Sequence, residues 1–118
     1  MPISHKDFFE AIHRGELEVI QQYIEENDAD VNEPMFDGDT PLYVAARYGN
    51  HKVVKILLEN GADLNKVVVA GSLPLAVAAR LGHLEVVKLL LEKGAEVNKA
   101  TANYGATPLY LAAQNGHF

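Results

Sequence analysis

Glycine returns along this chain at a fixed interval: Gly15, Gly49, Gly82 and Gly116 lie 34, 33 and 34 residues apart. Two further series keep the same spacing. Pro41, Pro74 and Pro108 are separated by 33 and 34 residues, as are Gly38, Gly71 and Gly105. Between these markers "TPLYVAARYGN" (40–50), "LPLAVAARLGH" (73–83) and "TPLYLAAQNGH" (107–117) align without gaps. "HKVVKILLENGADLN" (51–65) matches "LEVVKLLLEKGAEVN" (84–98), and "LEVIQQYIEENDADVN" (17–32) is a weaker copy with one extra residue around Asn27-Asp28. Three interleaved series at one period confine the chain to a repeat architecture, in which no unit buries its apolar face alone and each must stack on the next. The units are approximately 4–36, 37–69 and 70–103, with 104–118 a partial fourth, all in one domain of 118 residues.

Each unit spells two short helices. Thr40 and Thr107 stand directly before a proline, which places a hydroxyl acceptor at the helix start and a residue lacking N–H where none is needed. The first unit opens instead on "SHKD" (4–7), a capping box with Asp7 in place of the usual Glu. The glycines at 15, 49, 82 and 116 close the first helix. The second helix carries apolar residues at helical spacing, Val53, Val54, Leu57 and Leu58, then Val86, Val87, Leu90 and Leu91. Lys55–Glu59 and Lys88–Glu92 lie at pairing distance on its solvent side. Gly61 and Gly94 end it, and Asn27 or Asp28 takes that place in the first unit.

Taken together, the 33-residue period, "TPL" followed by "AA", then "GH", "VV..LLL" and "GAD.N" resemble the ankyrin-repeat family over residues from about 4 to 118. The resemblance implies an all-α ankyrin-repeat solenoid of stacked helix-turn-helix units with projecting hairpin loops, about three and a half repeats long. The chain also departs from the family. Phe9, Tyr43, Ala76 and Tyr110 occupy the position usually held by His, and Leu73 replaces the capping Thr of the third unit. A cap of about 1 kcal/mol is then missing unless Ser72 supplies it. The fourth unit stops at "NGHF", so Val86–Leu91 is expected to lose half its cover. Either the protein continues beyond Phe118 or another molecule covers that end.

No chemistry is expected from these residues. There is no cysteine for a disulfide or thiolate site. His83 and His117 occupy the "GH" position, where the resemblance implies a local structural role; neither has a carboxylate at ligand spacing, so no metal is expected. Asp37 and Asp39 sit on a projecting loop, not in a pocket, and no nucleophile has a base at recognisable spacing. "GADLN" and "GAEVN" lack the lysine and hydroxyl of a phosphate loop. The chain reads as a non-enzyme without a cofactor. Asn32, Asn65 and Asn98 recur after the second helix and are expected to shape the loop by hydrogen bonding.

Charge narrows the partner. Residues 1–39 hold eleven acids against Lys6 and Arg14, whereas 40–118 hold five acids against eight bases, giving −9 and +3 within a net −6. An acidic end without a compensating basic cluster argues against nucleic acid. No apolar run approaches the roughly 20 residues that span a bilayer, and "MPISHKDFFEAIHRG" lacks the pattern of a secretory signal. A cytoplasmic or nuclear protein, monomeric and without a membrane, is the expectation. Self-association through the exposed C-terminal end is the alternative, as is a regulatory or targeting segment of a longer multidomain protein.

The resemblance places a protein or peptide partner on the concave face, made of loop tips and first-helix ends. The tips supply Phe36, Asp37 and Asp39, then Val67, Val69 and Ser72, then Ala102, Asn103 and Tyr104. The helix ends supply Arg47 and Tyr48, Arg80 and Leu81, and Gln114. Tyr, Phe and Arg gathered at solvent positions match the composition of interface hot spots, and two arginines one repeat apart suit a carboxylate-bearing peptide. In this register the run Val67-Val68-Val69 belongs to a loop, not to the core; alternation should turn one or two of the three toward neighbouring loops and leave the rest exposed, and the stretch is expected to be the most adhesive part of the row.

Overall fold

The computed structural model of the chain describes residues 4–27, 30–35, 38–66, 68 and 71–94. Six helices occupy these residues: α1 (His5–Arg14), α2 (Leu17–Asn27), α3 (Pro41–Tyr48), α4 (His51–Glu59), α5 (Pro74–Leu81) and α6 (Leu84–Glu92). Two residues join the helices of each unit. α1 packs on α2, α3 on α4 and α5 on α6, while α3 lies between α1 and α5, and α4 between α2 and α6. The first helices thus form one layer and the second helices another, as the period requires.

The helix starts follow from their caps. Ser4 Oγ accepts from the Asp7 N–H at 3.1 Å and the Asp7 carboxylate accepts from the Ser4 N–H at 3.4 Å, completing the box. Thr40 Oγ1 accepts from the Tyr43 N–H at 3.2 Å, with Pro41 in the first turn. α5 begins at Leu73 with no side-chain cap. No hydrogen bond of the Ser72 side chain stands in for it, and the Ser72 carbonyl closes the hairpin by accepting from the Val68 N–H at 3.0 Å. Leu73 is itself buried, so the apolar contact stands where the other unit has a hydrogen bond.

The core alternates large and small side chains by layer. Phe8, Leu42 and Leu75 occupy one register position of the first helices, all buried; Ala45-Ala46 and Ala78-Ala79, also buried, let the helices of that layer approach closely. On the second layer Ile20, Val54 and Val87 repeat, as do Tyr23, Leu57 and Leu90. The expected loss of cover over Val86–Leu91 is not seen: Val86, Val87 and Leu90 are buried and Leu89 and Leu91 half-buried, as Ile56 and Leu58 are one repeat earlier. α6 packs against α4 and α5, which supplies this cover.

The hairpins repeat as closely as the helices. The Met35 N–H donates to Asp39 O at 2.7 Å and the Gly38 N–H to Met35 O at 2.9 Å. One repeat later the Val68 N–H donates to Ser72 O and the Gly71 N–H to Val68 O at 2.8 Å. Met35 and Val68 close the bases of these loops and belong to the hydrophobic core, Val68 only 4% exposed. The reading of the valine run as loop and not core is corrected for Val68, whose side chain belongs to the core. Alternation of side chains along extended backbone accounts for an inward side chain within a loop.

Hydrogen bonds across units fix the register. Asn32 Nδ2 donates to Gly61 O at 3.0 Å, its Oδ1 accepts from the Asp63 N–H at 2.6 Å, and its carbonyl accepts from Lys66 Nζ at 3.1 Å. Asn32 thus shapes the neighbouring unit's loop as well as its own. His83 Nε2 donates to Arg47 O at 2.9 Å, reaching from the start of α6 back to α3.

In the first unit the Tyr23 hydroxyl bonds to His5 Nδ1 at 2.7 Å, and His5 Nε2 lies 3.7 Å from the Glu33 carboxylate. Burial, and secondarily the negative charge of Glu33, push the Tyr23 hydroxyl above the ordinary value of 10.0. A raised folded pKa contributes stability that is fully present below the unfolded value and lost as pH rises through the folded one. The array is therefore expected to weaken above about pH 10. In urea titrations over that range, Tyr23→Phe should lose less stability per unit of pH than the natural chain; parallel curves would contradict the assignment.

Candidate partner-binding face

The end of α3 is an organised cluster. Arg47, at the last turn, donates from Nη1 to Asp39 Oδ2 at 3.0 Å. Its guanidinium carbon lies 5.8 Å from the Tyr43 ring centroid and 5.6 Å from that of Tyr48. Tyr43 precedes Arg47 by one helical turn, so the ring and the guanidinium share a face. Tyr48 also meets His13 in a T-shaped arrangement, centroids 5.5 Å apart, and His13 Nδ1 donates to Phe9 O at 2.9 Å. Tyr48 is 52% exposed although in contact with both Arg47 and His13. An aromatic with few conformers and an open face suits contact with a partner, because little side-chain entropy is lost on binding.

The cluster recurs in altered form one repeat on. Arg80 and Leu81 occupy the places of Arg47 and Tyr48 at the end of α5, both exposed, Leu81 at 44%. Tyr48, Leu81 and Leu84 are the exposed large apolar side chains among the described residues. Two of the three thus fall at one register position of the first-helix row, and Leu84 stands three residues beyond Leu81.

Other expected contacts fare differently. Ser72 is 9% exposed, so its side chain offers little surface; it lies at the closed base of its hairpin, opposite Val68. Asp39 is turned toward Arg47, so the pair presents a neutralised couple where separate acid and base were expected. Phe36, Asp37, Val67, Val69, Ala102, Asn103, Tyr104 and Gln114 lie outside the described residues. Sequence reasoning missed His13 and Arg14, which hold the same register as Arg47–Tyr48 and Arg80–Leu81, 34 residues before the first pair. It also missed Tyr43, because the expectation attached to that position concerned the loop and not the arginine one turn later. The period extended into the first unit signals the former, and the four-residue spacing to Arg47 the latter.

Among the described residues no group of three or more His, Cys, Asp or Glu side chains is arranged to hold a metal ion. No described helix is long and apolar enough to cross a membrane. The family model for ankyrin repeats in three copies matches residues 8–101 and again 71–118. The chain belongs to the ankyrin-repeat family. Ankyrin repeats are in general protein–protein interaction modules and are typically non-catalytic. The ankyrin array is also similar to a 60 kDa lysophospholipase of Mus musculus, 46% identical over 48 residues. The match covers 41% of this chain but 8% of that protein, so the chain spans a small fraction of the relative's length.

Proposed function

We propose that the chain is a non-catalytic docking module that holds a protein or peptide on the row formed by the ends of α1, α3 and α5 and the adjoining hairpins. One observation carries the reading: Tyr48 and Leu81 stand about half exposed at consecutive repeats beside Arg47 and Arg80, while the other large apolar residues of the first helices are buried. A repeat array has no single pocket, and its continuous row of equivalent positions is the surface it offers to an extended ligand. The small share of the lysophospholipase that is matched favours a second, compatible role. In a longer protein such an array would position or regulate another domain by the same face.

The test is capture of a partner from native extract by the wild-type chain and by the Arg80→Glu, Leu81→Asp double variant. Both positions are exposed, and an acid near a helix C-terminus costs only about 0.3–1 kcal/mol, so helicity by circular dichroism should be unchanged. Capture is expected to fall at least about tenfold, the loss of more than 1.4 kcal/mol that one hot-spot position supplies. Equal capture by both forms would place the partner elsewhere.

A further inference from the structure

We infer that Asn60 is a site of spontaneous deamidation, and that Asn32 of the preceding unit controls how fast it reacts. Neither residue belongs to the docking face proposed above. An asparagine loses its side-chain amide when the backbone nitrogen of the next residue attacks Cγ. The new N–Cγ bond closes a cyclic imide, the attacking nitrogen gives up its proton, and the side-chain nitrogen leaves as ammonia. Water then opens the ring at one carbonyl to give aspartate, or at the other to give isoaspartate, so water is the sole co-reactant. A side chain on the following residue hinders the attack. Among the described residues Asn27, Asn32, Asn50 and Asn65 precede Asp, Glu, His and Lys, whereas Asn60 precedes Gly61. Both Asn60 and Gly61 are exposed, and even a Cβ at Gly61 would meet nothing within 4 Å. The space that the ring needs is therefore open.

The fold nevertheless holds the two reacting groups apart. Asn60 is the C-cap of α4 with ψ 19°, and its Nδ2 donates to Ile56 O at 2.8 Å. The Gly61 N–H donates to Leu58 O at 3.2 Å. Ring closure requires rotation about ψ of Asn60 to bring the Gly61 nitrogen alongside Cγ, and both bonds must open. The same rotation swings Gly61 O, which accepts from Asn32 Nδ2 at 3.0 Å. Asn32 Oδ1 also accepts from the Asp63 N–H at 2.6 Å, so one side chain holds the loop on both sides of Ala62. Reaction then proceeds from a locally open form, whose population falls as this clasp tightens.

The product does not fit the closed form. Aspartate and isoaspartate have no Nδ2 donor for Ile56 O. Their carboxylate stands beside Glu59 at the C-terminal end of α4, where negative charge is unfavourable. Isoaspartate also lengthens the main chain by one carbon ahead of Gly61, which displaces the carbonyl that Asn32 holds. Conversion is thus a one-way loosening of the contact between the first and second units.

The experiment is incubation of the whole chain at neutral pH and physiological temperature, followed by peptide mapping with mass spectrometry. Mapping separates Asn60 from Asn115, which also precedes a glycine. The natural chain is expected to accumulate aspartate and isoaspartate at position 60, more slowly than the same chain in urea. Asn32→Ala removes both hydrogen bonds of the clasp and should speed the conversion about tenfold. Ile20→Val lowers stability by a comparable amount without touching the clasp, and should leave the rate within about twofold of the natural one. Asparagine persisting at position 60 in both the natural chain and Asn32→Ala overturns the site. Conversion as fast in the folded natural chain as in urea, or equal acceleration by Ile20→Val and Asn32→Ala, overturns the control by Asn32.

Discussion

Leu57→Ala is expected to cost the array about 3–5 kcal/mol, the range for emptying a well-packed leucine site. Leu57 is 0% exposed in the helix that α2, α3 and α6 all pack against. Its removal weakens the middle unit and, through it, both interfaces. In a one-dimensional array the middle unit couples its neighbours, so the loss should also broaden a single transition into two. Total stability of a domain this size is about 5–15 kcal/mol, so the variant should be close to unfolded at physiological temperature. Leu58→Ala is the internal control: Leu58 is half-buried, and its truncation should cost clearly less. Urea titration followed by circular dichroism measures both. Equal costs, or a Leu57→Ala cost below about 1 kcal/mol, would contradict the assigned core.

Gly49→Ala should be the second most damaging change, and Gly61→Ala shows why. Both glycines have a left-handed backbone, φ +72° and +93°, so each substitution carries about 1–2 kcal/mol of backbone strain. The surroundings differ. A Cβ at Gly61 meets nothing within 4 Å, whereas one at Gly49 lies 2.5 Å from His83 Nδ1 and 2.7 Å from its Cγ. That ring cannot retreat without giving up its hydrogen bond to Arg47 O. Losing this part-buried hydrogen bond costs a further amount of up to about 1–3 kcal/mol. Gly49→Ala should therefore exceed Gly61→Ala by about 1–3 kcal/mol, and equal effects would deny the contact between units. Asn50 approaches Gly15 in the same way one repeat earlier.

How much of this was legible in the residues depends on whether the controlling contact is local or crosses units. The capping box at Ser4, the cap at Thr40 and the missing cap at Leu73 were all readable, because each involves neighbours within one helical turn. The burial of Val68 was readable only in part: alternation predicts that one or two of the three valines turn inward, but identical side chains do not say which, and the hairpin bonds of Val68 bring it to the core. The bond from His83 to the Arg47 carbonyl was hidden because backbone acceptors leave no trace in residue type. Asp39 and Arg47 illustrate the intermediate case. Both were named for the candidate face, but their pairing across eight residues needed the hairpin to fold back onto α3. His13 shows a different omission, since the period already placed it in line with Arg47 and Arg80.

The docking face itself is tested most directly by photocrosslinking. A photoreactive phenylalanine analogue is placed at Leu81 on α5 in one preparation and at Lys88 on α6 in another, both exposed positions, and each is irradiated in native extract. A discrete crosslinked species from position 81, absent from position 88, is the result this account predicts. The same species from position 88 and none from position 81 would contradict it.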